Sequence, residues 1–192
     1  SGIDFSVPSV MIDERGVVIA LDYYLDNEDG IYDYVGMPRF RSLRCSPSYI
    51  TRELAESLYL GYVERQLSQK DVLTEMIKAG KKLYFIEAMN PSLPDSVLFG
   101  YSTKQMSWIK QHEGDVWAAL VGNDMLYAKN AEMFRMYFGD APFTQAYSNE
   151  APPRLGEFIG LQIIRSYMTN NDVSLQDMII NNDVQRIFQS SQ

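Results

Sequence analysis

The sequence predicts a mainly α-helical domain with a small β-hairpin at its N-terminus, an α+β arrangement dominated by helix. Three observations lead there. Apolar residues recur at three- and four-residue spacing through most of the chain after residue 47. β-forming residues concentrate in residues 5–25, broken by one polar turn. Ser, Pro, Asp and Gly stand at the ends of the periodic stretches, where helix caps and stops belong.

Residues 5–25 read as extended. Phe5-Ser6-Val7-Pro8 and Val17-Val18-Ile19-Ala20-Leu21 supply the strands, and Asp13-Glu14-Arg15-Gly16 supplies the turn. Pro8 favours an edge for the first strand, and Asp22-Tyr23-Tyr24-Leu25 continues the second. Residues 26–46 read as irregular, because Asn27, Asp29, Gly30, Gly36 and Pro38 break any period. Ser46-Pro47 then opens a helix to about residue 66, with Ile50, Leu54, Leu58 and Gly61 on one face. A second helix is expected after Ser68, on Val72, Leu73, Met76 and Ile77. Gly80 is a point of interruption before the helix resumes and Pro91 and Pro94 end it.

Ser102 or Thr103 caps a long helix to about residue 122. Its shared face of Met106, Ile109, Glu113, Val116, Trp117, Leu120 and Val121 puts Glu113 near a buried edge. A short helix over 130–138 stops at Gly139. Pro153 opens a helix to about residue 168, Ser174 with Asp177 forms a capping box, and Asp183 caps a last helix near 184–189. With no repeat and no interior linker, residues 1–192 read as one domain.

Composition narrows the function. Apolar residues at 46% and charged residues at 22% suit a packed core rather than a disordered chain. A net charge of −8, with no basic cluster longer than Lys81-Lys82, argues against nucleic acid and against electrostatic docking on anionic lipid. No apolar run approaches the ~18 residues that span a bilayer. The first residues carry neither the basic nor the apolar region of a signal peptide, and they begin in strand-like sequence. A fragment lacking an upstream segment is the expectation. One His and one Cys cannot build a conventional zinc site, so no metal and no cofactor are expected.

Several segments carry a resemblance. They are Leu21-Asp22-Tyr23-Tyr24-Leu25, Gly80-Lys81-Lys82-Leu83-Tyr84, and Gly100-Tyr101-Ser102 leading to Glu113 and Trp117. The strongest is Asn149-Glu150-Ala151-Pro152-Pro153-Arg154-Leu155-Gly156-Glu157-Phe158-Ile159-Gly160, continuing through Gln162 and Arg165-Ser166-Tyr167. Together they resemble the C-terminal part of the gliding motility lipoprotein GldB family of the Bacteroidetes. Family members usually show Asn-Glu-Ser-Pro-Gly-Arg-Ile-Gly there, so Ala151 and Pro153 depart from the pattern. The resemblance implies a lipid-anchored, periplasm-facing protein of the bacterial cell envelope, with its lipid-bearing cysteine upstream. Cys45, in mid-domain, is not that cysteine. Its partners would be envelope or secretion-machinery proteins.

The family is in turn similar to predicted zinc peptidases with an HExxH helix, in which two His hold the metal and the Glu is the general base. Placed on that pattern, Arg52-Glu53-Leu54-Ala55-Glu56 retains the acid at Glu53 and puts Arg52 and Glu56 where the ligands belong. A guanidinium has no lone pair to give. Glu157 stands where a third ligand would come from a later helix. Arg52, Glu53, Glu56 and Glu157 are therefore candidates for a degenerate zincin-like site. The bland alternative is a solvated Arg-Glu-Glu face and, for Glu157, an ion pair with Arg154 that fixes the helix start.

Glu150 and Arg154 are weaker candidates for binding. Gly156 and Gly160, four apart on one face, would let a neighbouring helix approach closely. His112, between Gln111 and Glu113, reads as a surface residue, and the acids of 22–33 as a solvated loop. The expectation is a non-catalytic domain acting through protein contacts. Two alternatives stay open: a hydrolase built on Glu53 with Glu150 and Glu157 (metal-independent, or with an unusual acidic metal site), and a glycan-binding module suggested by the Tyr and Trp content.

Overall fold

A computed structural model describes residues 8–26, 30–62, 71–122, 125–140, 148 and 150–192. The protein is mainly α with one two-stranded antiparallel sheet near its N-terminus. It divides into two compact units, residues 1–64 with 86–100, and residues 65–85 with 101–192.

The first unit opens with β1 (Val10–Asp13) and β2 (Gly16–Ile19), paired so that Val10 faces Ile19 and Asp13 faces Gly16. The Asp13 carboxylate closes the turn by accepting from the Arg15 backbone N–H and guanidinium, both at 2.8 Å. Phe5, Ser6 and Val7 lie outside the described residues, and β1 starts two residues beyond Pro8. The extended reading of residues 22–25 is corrected: Leu21–Tyr23 is a 3-10 turn. Here side chains take the backbone groups that a ladder would use. The Tyr32 hydroxyl accepts from the Leu25 N–H at 2.9 Å and donates to the Asp22 carbonyl at 3.2 Å.

The irregular reading of 26–46 is corrected as well. Two four-residue helices, α1 (Ile31–Tyr34) and α2 (Arg39–Ser42), lie there. Each is a single turn, too short to show a period. After a 3-10 turn at Pro47–Tyr49 comes α3 (Ile50–Tyr62), whose expected extension to residue 66 lies outside the described residues. Ser46 precedes the turn without a side-chain capping bond. Arg52, Ala55 and Tyr59 form the buried face of α3, while Ile50, Leu54 and Leu58 are half-buried. The last turn of α4 (Val72–Met89) and α5 (Asp95–Phe99) complete this unit.

The second unit holds α4 up to Phe85, α6 (Thr103–Gly122), α7 (Ala131–Phe138), α8 (Leu155–Asn170), α9 (Leu175–Ile180) and α10 (Val184–Gln189). No break occurs at Gly80; α4 runs through it. A Cβ on Gly80 would lie 2.2 Å from the Gly160 carbonyl oxygen, and one on Gly160 would lie 2.0 Å from that of Met76. The two glycines are the points at which α4 and α8 touch backbone to backbone. Gly156 serves a different neighbour, since its Cβ would meet the Phe138 ring of α7 at 2.5 Å. α8 also contacts α6 and α10, and it buries Leu155, Phe158, Ile159, Leu161, Ile163, Ile164 and Tyr167. Ser102 and Gln105 cap α6 reciprocally, Ser174 caps α9 and Asp183 caps α10. Val121, expected on the inner face of α6, is exposed because only Met106, Ile109, Val116 and Leu120 of that stripe reach the core.

Candidate functional site

α3 carries three charged side chains, Arg52, Glu53 and Glu56, within five residues. Arg52 is 5% exposed. Its Nε–H donates to the Leu98 carbonyl at 2.9 Å, and its Nη1 pairs with the Glu56 carboxylate one helical turn away at 2.6 Å. Leu98 lies in α5, so the guanidinium ties α5 to α3. Burying a guanidinium is tolerable only with such partners. Glu53 projects from α3 toward the hairpin. Its Oε2 accepts from the Ser9 hydroxyl and from the Tyr24 hydroxyl, each at 2.5 Å. Ser9 immediately precedes β1, which packs on α3. The pair of hydroxyls therefore fixes hairpin, following turn and α3 at one carboxylate oxygen. Burial first, and then the bond to Glu53, raise the Tyr24 pKa, so the phenol keeps its proton and stays a donor. Nearby Cys45 is buried, with its thiol pushed up to about 11 by burial and then by the Glu53 charge. It is a packing residue rather than a nucleophile.

These residues do not fit zinc. Arg52 donates only, and its hydrogens already point at an oxygen of Leu98 and of Glu56. Among the described residues no group of three or more His, Cys, Asp or Glu side chains is disposed to hold a metal ion.

Glu157 belongs to the second unit, whereas Arg52, Glu53 and Glu56 belong to the first. Glu157 pairs with Arg154 at 3.6 Å, and Arg154 also reaches Asp140 at 3.5 Å. Arg154 is buried and is the N-cap of α8 in the left-handed region, with φ 56°. A side chain there costs roughly 1–2 kcal/mol, so the surrounding bonds must hold the turn. Tyr101 supplies one, donating its hydroxyl to the Pro153 carbonyl at 2.5 Å. Glu150 is exposed and borders a polar groove with Trp108 and His112. His112 is half-buried in the wall of that groove. Its ring stacks on Trp108 at 4.4 Å and its Nδ1 lies 2.8 Å from the Trp108 carbonyl.

Sequence reasoning missed Lys81. It is 0% exposed, and its ammonium donates to the Ile179 carbonyl at 3.1 Å and to the Asn181 carbonyl at the C-terminal end of α9. Burial pushes its pKa down to about 8. The signal was its position one turn after Ile77 in an apolar stripe. Ser9 and Tyr24 as partners of Glu53 carried no comparable signal.

The segments that carried the resemblance meet one another in this fold: Gly80 against Gly160, and Tyr101 against Pro153. A family model described as gliding motility protein GldB matches residues 1–192. The chain belongs to the GldB family. Membership makes it a gliding-motility-associated lipoprotein domain of the cell envelope. No curated protein and no solved structure matches it. No helix among the described residues is long and apolar enough to cross a membrane.

Proposed function

We propose that this GldB-family domain is non-catalytic and acts through protein contacts, as the periplasm-facing part of a lipid-anchored protein whose partners belong to the envelope or secretion machinery. One observation carries the reading. Large apolar side chains stand exposed in quantity between residues 11 and 43: Met11, Val18, Leu21 at 65%, Tyr34 at 92% and Leu43 at 65% among them. Met11 and Val18 face each other across the hairpin. Contiguous exposed apolar surface marks protein–protein interaction sites.

The chemistry of α3 supports the same view. A general base needs a free lone pair directed at substrate. Glu53 has committed Oε2 to two hydroxyls of its own fold, so only Oε1 is left for such a task. We read α3 as the counterpart of an HExxH helix whose ligand positions have passed to Arg52 and Glu56, and whose charges now pin the hairpin and α5.

The test is photo-crosslinking. A benzophenone side chain at Val18 or Tyr34 in the envelope-anchored protein is expected to give discrete protein adducts, whereas the same probe at the exposed Glu132 is not. Adducts that are equal at all three positions, or absent at all three, would overturn the reading.

A further inference from the structure

A groove of about 520 Å³ lies wholly within the second unit, between α6, α8 and α10. Its walls are apolar: Trp117 from α6, Ile159 and Ile163 from α8, and Phe188 from α10, with the Trp117 and Phe188 rings 5.9 Å apart and tilted at 55°. One acidic side chain, that of Glu113, lines it. Glu113 lies one turn before Trp117, so ring and charge face the same space. Among the described residues no hydrogen bond or ion pair reaches the Glu113 carboxylate, although the side chain is half-buried. Burial raises its pKa, and the more distant charge of Arg165 only partly offsets that. A desolvated carboxylate without a partner is an incomplete arrangement.

What completes it follows from charge. An anion would be repelled by Glu113. A neutral sugar would stack on Trp117 but would find few polar groups, because the Ser166 hydroxyl is already given to the Ser191 carbonyl at 2.5 Å. The Ser191 hydroxyl is likewise given to the Phe188 carbonyl at 2.7 Å, which leaves the Gln162 and Gln192 amides as neutral polar handles. A cation on an apolar stem satisfies every wall at once. Its charge meets the carboxylate and the face of an indole, and its methylenes lie along isoleucine. We propose that this groove receives an arginine or lysine side chain presented by a partner protein, with Glu113 as its counter-ion and Trp117 as its cation-π face. The site uses the second unit alone, and it stands or falls independently of the apolar surface around residues 11–43.

The experiment uses the full chain with Trp108→Phe, so that the remaining indole reports on Trp117. The probe is a Gly/Ser pentapeptide with a central arginine, compared with its neutral citrulline counterpart and with butylguanidinium. The arginine peptide is expected to shift the Trp117 indole resonance saturably, and to bind at least about tenfold tighter than the citrulline peptide and tighter than butylguanidinium. Glu113→Gln removes a desolvated charge, so the protein stays folded, and it should abolish the preference for arginine over citrulline. Equal binding of arginine and citrulline, or a preference that survives Glu113→Gln, would overturn the site. Butylguanidinium binding as tightly as the peptide would overturn the assignment to a partner's side chain in favour of a small organic cation.

Discussion

Gly160→Ala adds one methyl group where α8 crosses α4. That methyl would lie 2.0 Å from the Met76 carbonyl oxygen and 2.7 Å from its carbon, and both are backbone atoms of a helix. Ordinary contact begins near 3.4 Å, so the two helices must part by about 1.4 Å at this point. The separation cannot stay local. Met76 and Ile77 on one side and Leu161 and Ile164 on the other are completely buried. A radial gap of about 0.5–1 Å already forfeits a quarter to a half of a contact's dispersion energy. Overpacking alone costs about 1–3 kcal/mol, and the opened face brings the expected loss to about 3 kcal/mol or more. For a chain of this size that is a fall in melting temperature of roughly 6–12 °C. The matched control is Gly114→Ala on α6, where an added Cβ meets nothing within 4 Å. There the helix gains about 0.5–1 kcal/mol from the same substitution. Thermal unfolding followed by circular dichroism reads both. Similar small shifts for the two variants would refute the close crossing of α4 and α8.

Lys81→Met tests the buried ammonium through pH. The folded pKa of Lys81 is lowered to about 8 from 10.5. Between those values the unfolded chain therefore holds more protons, and stability rises with pH. From pH 7 to pH 9.5 the wild type should gain about 2 kcal/mol relative to Lys81→Met, measured by urea unfolding at both pH values; parallel profiles would contradict it. Tyr24→Phe leaves Glu53 with Ser9 as its remaining described donor. It should cost about 1.5 kcal/mol in the same assay, with a neutral result showing that the hydroxyl does not bind the carboxylate.

The parts of the fold legible in the sequence were the local ones. The turn at Asp13–Gly16 and the caps at Ser102, Ser174 and Asp183 each depend on residues within three positions of one another, so their residue types announce them. The inner face of α3 was not legible. Its stripe includes Arg52, which a pattern of apolar residues treats as solvent-facing, and so Ile50, Leu54 and Leu58 looked like the core. Gly156 and Gly160 were recognisable as close-approach residues, but that they serve two different helices is a tertiary fact. At the candidate site, Arg52 with Glu56 and Arg154 with Glu157 could be read as neighbours from helical spacing. The bond from Tyr24 to Glu53 spans 29 positions and leaves no local trace.

Turnover by the wild type beside Glu53→Gln, on peptide and glycan libraries, is the measurement that bears most directly on a non-catalytic α3. Neither protein should hydrolyse any member, and Glu53→Gln should differ only by a lower melting temperature, since an amide oxygen accepts less strongly from Ser9 and Tyr24 than a carboxylate does. Hydrolysis by the wild type that disappears in a folded Glu53→Gln variant would contradict the proposal outright.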